Sequence, residues 1–343
     1  MKRKILVTGG TGYIGSHTAV ELIKEGCEVV IIDNLHNSEA VVADRIGQIT
    51  GVKPTLEVFD LCDRDKLDNF FRSHNGIDAV IHFAAFKAVG ESVMKPLEYY
   101  RNNLISLVNL IETMKKHGAG NLVFSSSCTV YGQPEKLPVT ESSPLQPAVS
   151  PYGNTKQIGE QIIRDAVRAI ESFRAISLRY FNPIGAHESG LIGELPRGVP
   201  ENLVPYITQT AIGLRPGLKV FGNDYDTPDG SCIRDYLHVS DLARAHVVAV
   251  NRLTGKLNKE SYEVFNLGTG KGVSVLEAIQ SFERVSGIKL NYTITGRRAG
   301  DIEKIWADAT LANNELGWKT VYSLDDSMRT AWEWEKNIRN KKV

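Results

Sequence analysis

Apolar residues in the first half of the chain gather in short runs set between longer amphipathic stretches. Ile5-Leu6-Val7, Val29-Val30-Ile31-Ile32, Ala79-Val80-Ile81-His82-Phe83 and Leu122-Val123-Phe124 are nearly unbroken, and Leu56-Glu57-Val58-Phe59 fits the same series. Continuous runs suit parallel strands covered on both faces. Between them lie helices: one runs through Leu22-Ile23 and stops at Gly26, and another covers about 97–116. Strands alternating with helices predict βαβ units and a parallel sheet. Phe173-Arg174-Ala175-Ile176-Ser177-Leu178 is expected to end the core sheet at Tyr180. From about Asn182 onward the elements shorten and loops lengthen. A chain of 343 residues has room for two lobes, or for one large α/β domain with an added lobe.

Composition narrows the class. Forty basic and forty acidic residues cancel, so neither nucleic acid nor an anionic membrane is expected as partner. Cys27, Cys62, Cys128 and Cys232 are far apart and form no Cys-x-x-Cys pair. That spacing argues against a metal site or disulfide framework and for a reducing compartment. Met1-Lys2-Arg3-Lys4 has the charge of a signal-peptide n-region, but the apolar run behind it stops at Thr8, too short for an h-region. No stretch is long enough to cross a bilayer, and a soluble cytoplasmic protein is expected.

The strand ends carry the candidate chemistry. The first strand meets Gly9-Gly10-Thr11-Gly12-Tyr13-Ile14-Gly15, where glycines let the backbone turn tightly and approach a pyrophosphate at a helix N-terminus. The second ends at Asp33, eighteen positions after Gly15. A carboxylate there accepts hydrogen bonds from an adenosine ribose and repels a 2′-phosphate, so NAD is expected rather than NADP. The third ends at Asp60, which either reaches an adenine amino group or caps a helix. Ala84 and Ala85 follow the fourth strand and let a cofactor lie close, with Lys87 and Asn102 on the same side. The fifth runs into Ser125-Ser126-Ser127, which places Ser127 and Tyr152 on one rim of the sheet. In Tyr152-Gly153-Asn154-Thr155-Lys156 a helix would set phenol and ammonium one turn apart. A cation there lowers a tyrosine pKa from about 10 and yields a base for a sugar hydroxyl. A solvent-facing pair would show the same spacing.

The order Gly9-x-x-Gly12-x-x-Gly15, Asp33, Ser127, Tyr152-x-x-x-Lys156 resembles the extended short-chain dehydrogenase/reductase superfamily. Residues 7–18 carry that superfamily likeness, while 87–93, 96–100, 178–183, 221–225 and 234–236 resemble, within it, the UDP-glucose 4-epimerase family, and the likeness spans nearly the whole chain. It implies a Rossmann-type doubly wound parallel sheet that binds NAD over 1–181. A smaller C-terminal α/β lobe over 182–343 would bind a UDP-hexose, with a later segment near 235–265 returning to the first domain. The implied reaction oxidises C4 of the sugar, turns the 4-keto sugar over and reduces it from the other face, interconverting UDP-glucose and UDP-galactose. Tyr152 would take the 4-hydroxyl proton, Lys156 would bond the nicotinamide ribose and depress the Tyr152 pKa, and Ser127 would share a short hydrogen bond with the sugar oxygen.

For the cofactor the resemblance further implies Gly9, Gly12, Tyr13, Ile14, Gly15, Asp33, Asn34, Asp60, Leu61, Phe83, Ala84, Ala85, Lys87, Asn102 and Tyr180, beside Tyr152 and Lys156. For the substrate it implies Lys87, Ser127, Tyr152, Phe181, Asn182, Asn202, Leu203, Leu218, Val220, Phe221, Arg234, Arg298, Asp301 and Ile305. Residues 218–221 would hold uracil, and the two arginines would hold the diphosphate in bidentate fashion. Ile305 would border the sugar C2 substituent. It is neither a bulky tyrosine nor a small residue, which leaves open an epimerase acting also or mainly on UDP-N-acetylated sugars. Arg298 lies in the loop Gly296-Arg297-Arg298-Ala299-Gly300-Asp301, which would close on the substrate. Cys128-Thr129 stand where dehydratases of the superfamily place an acid pair. A homodimer through 97–116 and the helix after Tyr152 is also implied. The rival of another class is a non-catalytic NAD-sensing protein, for which a tuned phenol has no use. Asn266-Leu267-Gly268-Thr269-Gly270-Lys271-Gly272 is read as a turn into a helix capped by Ser274 and Glu277 rather than a second dinucleotide loop.

Overall fold

The computed structural model describes residues 2–298 and 301–340; Met1 of the basic start, and Ala299 and Gly300 of the loop 296–301, lie outside them. The first part of the chain forms β1 (Lys4–Thr8), α1 (Tyr13–Lys24), β2 (Glu28–Asp33), α2 (Val41–Thr50), β3 (Thr55–Val58), α3 (Arg64–Ser73), β4 (Ala79–His82), α4 (Val89–Met94), α5 (Pro96–His117), β5 (Asn121–Ser125), α6 (Pro151–Ala169) and β6 (Arg174–Tyr180). The remainder forms β7 (Asn182–Ile184), α7 (Leu203–Ala211), β8 (Leu218–Phe221), β9 (Ile233–Arg234), β10 (Tyr236–His238), α8 (Val239–Thr254), β11 (Tyr262–Leu267), β12 (Val273–Ser274), α9 (Val275–Ser286), β13 (Tyr292–Thr295) and α10 (Leu324–Asn340).

Successive strand residues point to opposite faces of a sheet, and here both faces are apolar and covered. Ile5, Val7, Val29, Ile31 and Ile81 pack under α1, α2 and α8 against Val20, Leu22, Ile46, Leu242 and Ala249. Leu6, Val30, Ile32, Val80 and Leu122 face the other way, against Leu67 and Phe70 of α3, Leu110 and Met114 of α5 and Ile163 of α6. The strands run β11-β6-β5-β4-β1-β2-β3, every neighbour parallel. This is the doubly wound arrangement, and the strand order reverses at β1 and β4. A crevice opens outside the carboxyl ends of those two strands, where such sheets bind ligands.

The sheet does not end at Tyr180. β11 adds a seventh strand beyond β6, in register from Tyr262 opposite Ala175 to Leu267 opposite Tyr180. Its pattern hid it: Tyr262, Glu263 and Val264 are half-buried edge positions, so no continuous apolar run marks the strand. Helix α1 ends at Lys24, and Gly26 follows with φ +79°. Ser274 and Glu277 form the capping box of α9.

The smaller lobe has its own core of Ile184, Val204, Ile207, Leu218, Val220, Phe282 and Met328. The chain passes between the lobes near Asn182, Asp235 and Thr269, and Asp235 stitches these passages together. Its carbonyl accepts from the Asn182 amide at 2.9 Å, and its buried carboxylate accepts from the amides of Thr269 (2.8 Å), Gly270 (3.2 Å) and Ala307 (3.2 Å). Among the described residues no helix is long and apolar enough to cross a membrane.

One glycine tests the packing of α1 on the sheet. A Cβ on Gly15 would lie 2.3 Å from the Gly9 carbonyl oxygen and 2.8 Å from Gly10 Cα, and neither backbone group can rotate away. Gly15→Ala is therefore expected to destabilise the fold by about 1–3 kcal/mol, in the range for overpacking. A thermal unfolding midpoint equal to that of the unaltered protein would refute this.

Candidate active site

The glycine loop is built from backbone held against backbone. Gly9 has φ +69°, and a Cβ on it would come within 2.8 Å of the Ala84 nitrogen. The loop delivers the chain into α1, whose first turn has no side-chain cap and no acidic residue. The positive end of the helix and its free N–H groups are thus left for an anion, as a pyrophosphate requires. Gly12 is the N-cap, with Tyr13, Ile14 and Gly15 in the first turn. The Tyr13 hydroxyl donates to the Gly185 carbonyl at 2.6 Å.

Asp33 is buried at the end of β2. Its carboxylate accepts from the Thr11 amide (3.1 Å), the Leu35 amide (2.9 Å) and the Ser38 hydroxyl (3.0 Å). Asp60 accepts from the Cys62 amide at 2.8 Å and from Asn34 Nδ2 at 3.1 Å. Asp60 is not a helix cap; Asp63 caps α3 by accepting from the Lys66 amide. Leu61 is buried and its carbonyl accepts from Asn109 Nδ2 at 3.0 Å. Phe83 lies against His246, ring centres 4.6 Å apart and the planes tilted by 49°. Asn102 donates to Asn103, and Asn103 closes the loop after β4 through the Phe86 amide and carbonyl at 2.8 and 3.0 Å. The uncapped helix, the close-packed glycines and a carboxylate beside them fit a dinucleotide along this crevice.

Ser150 caps α6 by accepting from the Gly153 amide at 3.2 Å, with Pro151 in the first turn. Tyr152 and Lys156 therefore lie one turn apart and both are buried. Lys156 Nζ donates to the Ser125 carbonyl at 2.6 Å, 5.0 Å from the Phe124 ring centre and 5.8 Å from that of Tyr152. Ser127 stands at the same rim, its hydroxyl accepting from the Thr129 amide at 3.2 Å. Tyr180 pairs with Ser125, hydroxyl to hydroxyl, at 2.6 Å.

The electrostatics here correct the sequence reading. Burial pushes the Tyr152 phenol well above its ordinary pKa, and the Ser127 hydroxyl pulls it only part of the way back. Burial also pushes Lys156 down, to about 8, against an opposing pull from Glu160. Desolvation penalises both charged forms, and for the chain by itself it outweighs the effect that spacing alone suggests for the phenol. The Cys128 thiol, next to Ser127, is likewise driven up by burial to about 12.

Beneath these groups lies a network that the sequence reading missed. Glu160 accepts from Ser126 Oγ (2.6 Å) and from Arg179 Nε (2.8 Å) and Nη2 (2.6 Å), and the pair is almost wholly buried. Arg179 also donates to the Tyr131 hydroxyl at 3.0 Å, and Tyr131 donates to Asn266 Oδ1 at 2.6 Å. The signal was present: Glu160 is four residues past Lys156 as Lys156 is four past Tyr152.

On the facing side, Glu194 Oε1 accepts from both Lys87 Nζ (2.9 Å) and Asn202 Nδ2 (2.7 Å). Asn202 is the N-cap of α7 and Leu203 its first residue. Arg298 lies against Asp301 through Nη2 (2.6 Å) and Nε (3.2 Å), with its guanidinium 5.4 Å from the Phe221 ring centre. Arg234 approaches the same carboxylate at 3.8 Å. β8 spans Leu218–Phe221, but Leu218 and Val220 point into the lobe core. They can offer a ligand only backbone, while Phe221 is exposed. Phe181 and Ile305 are buried together with Tyr131, Val139 and Ala307 between the lobes. Asn182 is half-buried in β7.

A doubly wound sheet with serine, tyrosine and lysine at its carboxyl rim defines the extended short-chain dehydrogenase/reductase class. Residues 5–268 match the NAD dependent epimerase/dehydratase family. The UDP-glucose 4-epimerase of Bacillus subtilis (strain 168) is 51% identical over 336 residues, 98% of each chain. The crystal structure of the UDP-glucose-4-epimerase from Stenotrophomonas maltophila with bound NAD and formylated UDP-arabinopyranose superposes with TM-score 0.95 at 47% identity, covering 99% of each chain. That of the Bifidobacterium longum UDP-glucose 4-epimerase with NAD+ and UDP gives 0.94 at 47% identity, covering 98% of this chain and 99% of that one. The chain belongs to the NAD dependent epimerase/dehydratase family.

The buried ammonium makes a stability prediction. The Lys156 pKa falls from 10.5 to about 8 on folding. The folded protein thus binds fewer protons than the unfolded chain between those values, and this group's contribution to stability rises with pH across that window. Below about 8 the full cost remains, ~3 kcal/mol at most. Lys156→Met is expected to raise the unfolding midpoint at pH 7, with the gain shrinking toward pH 10. A midpoint difference that does not vary with pH would contradict it.

Proposed function

We propose that this protein is an NAD-dependent 4-epimerase that interconverts UDP-glucose and UDP-galactose through a transient 4-keto sugar. The observation that carries this reading is that Ser127, Tyr152 and Lys156 stand together at the carboxyl rim of the sheet, the rim from which the glycine loop runs into the uncapped start of α1. The similarity to UDP-glucose 4-epimerases over nearly the full length supports it. On this reading the sheet domain, residues 1–181 with a later stretch around 235–265, carries NAD. The rest of 182–343 carries the UDP-sugar.

Each residue then has a physical task. Tyr152 acts in both directions: as phenolate it takes the proton of the C4 hydroxyl, and as phenol it returns one to the C4 oxygen. The burial that favours the neutral phenol therefore has to be offset by positive charge beside it when the cofactor is bound. Ser127 shares a hydrogen bond with that oxygen, fixing it beside the phenol. Lys156, with a pKa near 8, stays mostly protonated at neutral pH and presents its charge from the Ser125 carbonyl toward the ring. Bound NAD would supply the acceptor for the C4 hydride and its return, and its positive charge would favour the phenolate of Tyr152. The first turn of α1 holds the pyrophosphate, and Asp33 accepts from the adenosine ribose. Arg234 and Arg298, now drawn to Asp301, are placed to take up the diphosphate of UDP.

We further infer a homodimer. Helices α4 and α5 expose Val93, Met94 and Leu97 at 61%, 77% and 79%, a cluster too apolar for an ordinary wet face. A second copy would bury it together with the flank of α6. The four cysteines are free, which fits a reducing, cytoplasmic setting. Leu97→Glu is expected to shift the protein from dimer to monomer in sedimentation; a wild type that sediments as a monomer would sink the dimer.

The central test is to incubate purified protein with UDP-galactose, without added NAD, and look for UDP-glucose. Conversion is expected, and Tyr152→Phe should lose about 10²–10⁴-fold in turnover, the usual worth of an acid–base group, while keeping its NAD. Near-normal turnover in that variant would remove Tyr152 from its role, and no conversion with NAD supplied would remove the reaction.

A further inference from the structure

A strap over residues 185–202 leaves β7 and crosses back over the dinucleotide-binding half before α7 begins. It is anchored from behind by α10. Trp334 Nε1 donates to the Glu194 carbonyl at 2.9 Å, and a Cβ on Gly193 would meet the Trp334 ring at 2.5 Å. In front, the Tyr13 hydroxyl holds Gly185 and Lys87 holds Glu194. Arg197 makes a contact of another kind. Its guanidinium donates to three backbone carbonyls of the loop between β2 and α2: His36 through Nη1 at 2.7 Å, and Ser38 at 2.6 Å and Leu35 at 3.3 Å through Nη2.

That loop fixes Asp33. The Leu35 amide and Ser38 hydroxyl both donate to Asp33 Oδ1, and the Ser38 hydroxyl also pairs with Thr11 Oγ1 at 2.7 Å, inside the glycine loop. Leu35 has φ +56°, a left-handed conformation that a residue with a branched side chain keeps only when its surroundings hold it. A planar guanidinium can bridge several carbonyls at once, which a single ammonium cannot do equally well. Arg197 itself is exposed, so water competes for these bonds and the grip can open.

We propose that Arg197 is a positioning residue for the cofactor: it clasps the 35–38 loop, holds Asp33 in place for the adenosine ribose, and so sets how long NAD stays bound. The inference rests on the reading of Asp33 as the ribose acceptor. The clasp belongs to the strap that also carries Glu194 and Asn202, so one segment spans the ribose end and the substrate side.

The test uses the full-length protein loaded with radiolabelled NAD, or separately with radiolabelled UDP, and follows release into excess unlabelled ligand. Arg197→Ala is expected to release NAD about tenfold faster and UDP within about twofold of wild type, since contact losses act mainly on dissociation rates. Arg197→Lys should fall between the two for NAD, and it carries the test if the alanine variant does not fold. NAD release within about twofold of wild type in both variants would overturn the clasp, as would equal acceleration of NAD and UDP, which would mark general loosening of the strap. Release is read without turnover: a wild type that holds NAD but converts no sugar defeats the epimerase reading and leaves this test valid. A wild type that binds no NAD defeats both.

Discussion

A buried ion pair sets the geometry on which the site depends. Glu160 and Arg179 are taken out of water almost completely, at a desolvation cost that mutual attraction repays only if every remaining hydrogen-bonding position is filled. Here Ser126 adds a donor to Glu160 and Tyr131 an acceptor for Arg179, with Asn266 one bond further on. Such a pair is weak as a source of stability but strict about position, because either charge left alone would be costly. It ties α6 to β5 and β6 in one register. The phenol of Tyr152, the ammonium of Lys156 and the hydroxyl of Ser127 come from these same elements, so a single constraint fixes their spacing.

Within that frame, burial works in opposite directions on the two titrating groups. It holds the phenol neutral and weakens the hold of the lysine on its proton. A neutral phenol is the proper state for giving a proton to a carbonyl oxygen. A lysine that bonds the Ser125 carbonyl and faces two aromatic rings is fixed in direction even though its charge is costly. Low dielectric strengthens whatever charge the reaction develops there. Strain on the resting protein and leverage on the reacting one thus have the same origin.

Much of this was legible from residue order because it is local. The glycine loop, Asp33 at a strand end, the four-residue step from Tyr152 to Lys156 and the Ser274–Glu277 capping box all concern neighbours in sequence. What escaped depends on residues far apart in the chain. Sequence spacing gave Tyr152 a cationic neighbour but could not supply the burial that outweighs it. Residues 218–221 form the expected strand, whose alternation turns Leu218 and Val220 into the lobe core. The return of a segment near 235–265 came from the resemblance alone, because the edge strand β11 needs no unbroken apolar run. Glu194, Asp235 and Arg197 each act through partners from tens to more than a hundred and fifty residues away, and nothing in their own surroundings announces it.

Chain crosses between the lobes near Asn182, Asp235, Thr269 and Ala307 and again before α10, and Asp235 bonds the first four of these passages together, which has a mechanical consequence. Two bodies joined by one peptide can swing apart like a door. Joined by several peptides, most of them laced at one knot, they are held against such a swing. In the proposed reaction, a keto sugar that turns over to show its other face would do so between lobes held in this way. Economy of motion in the scaffold would then keep a reactive ketone from escaping halfway through its turn.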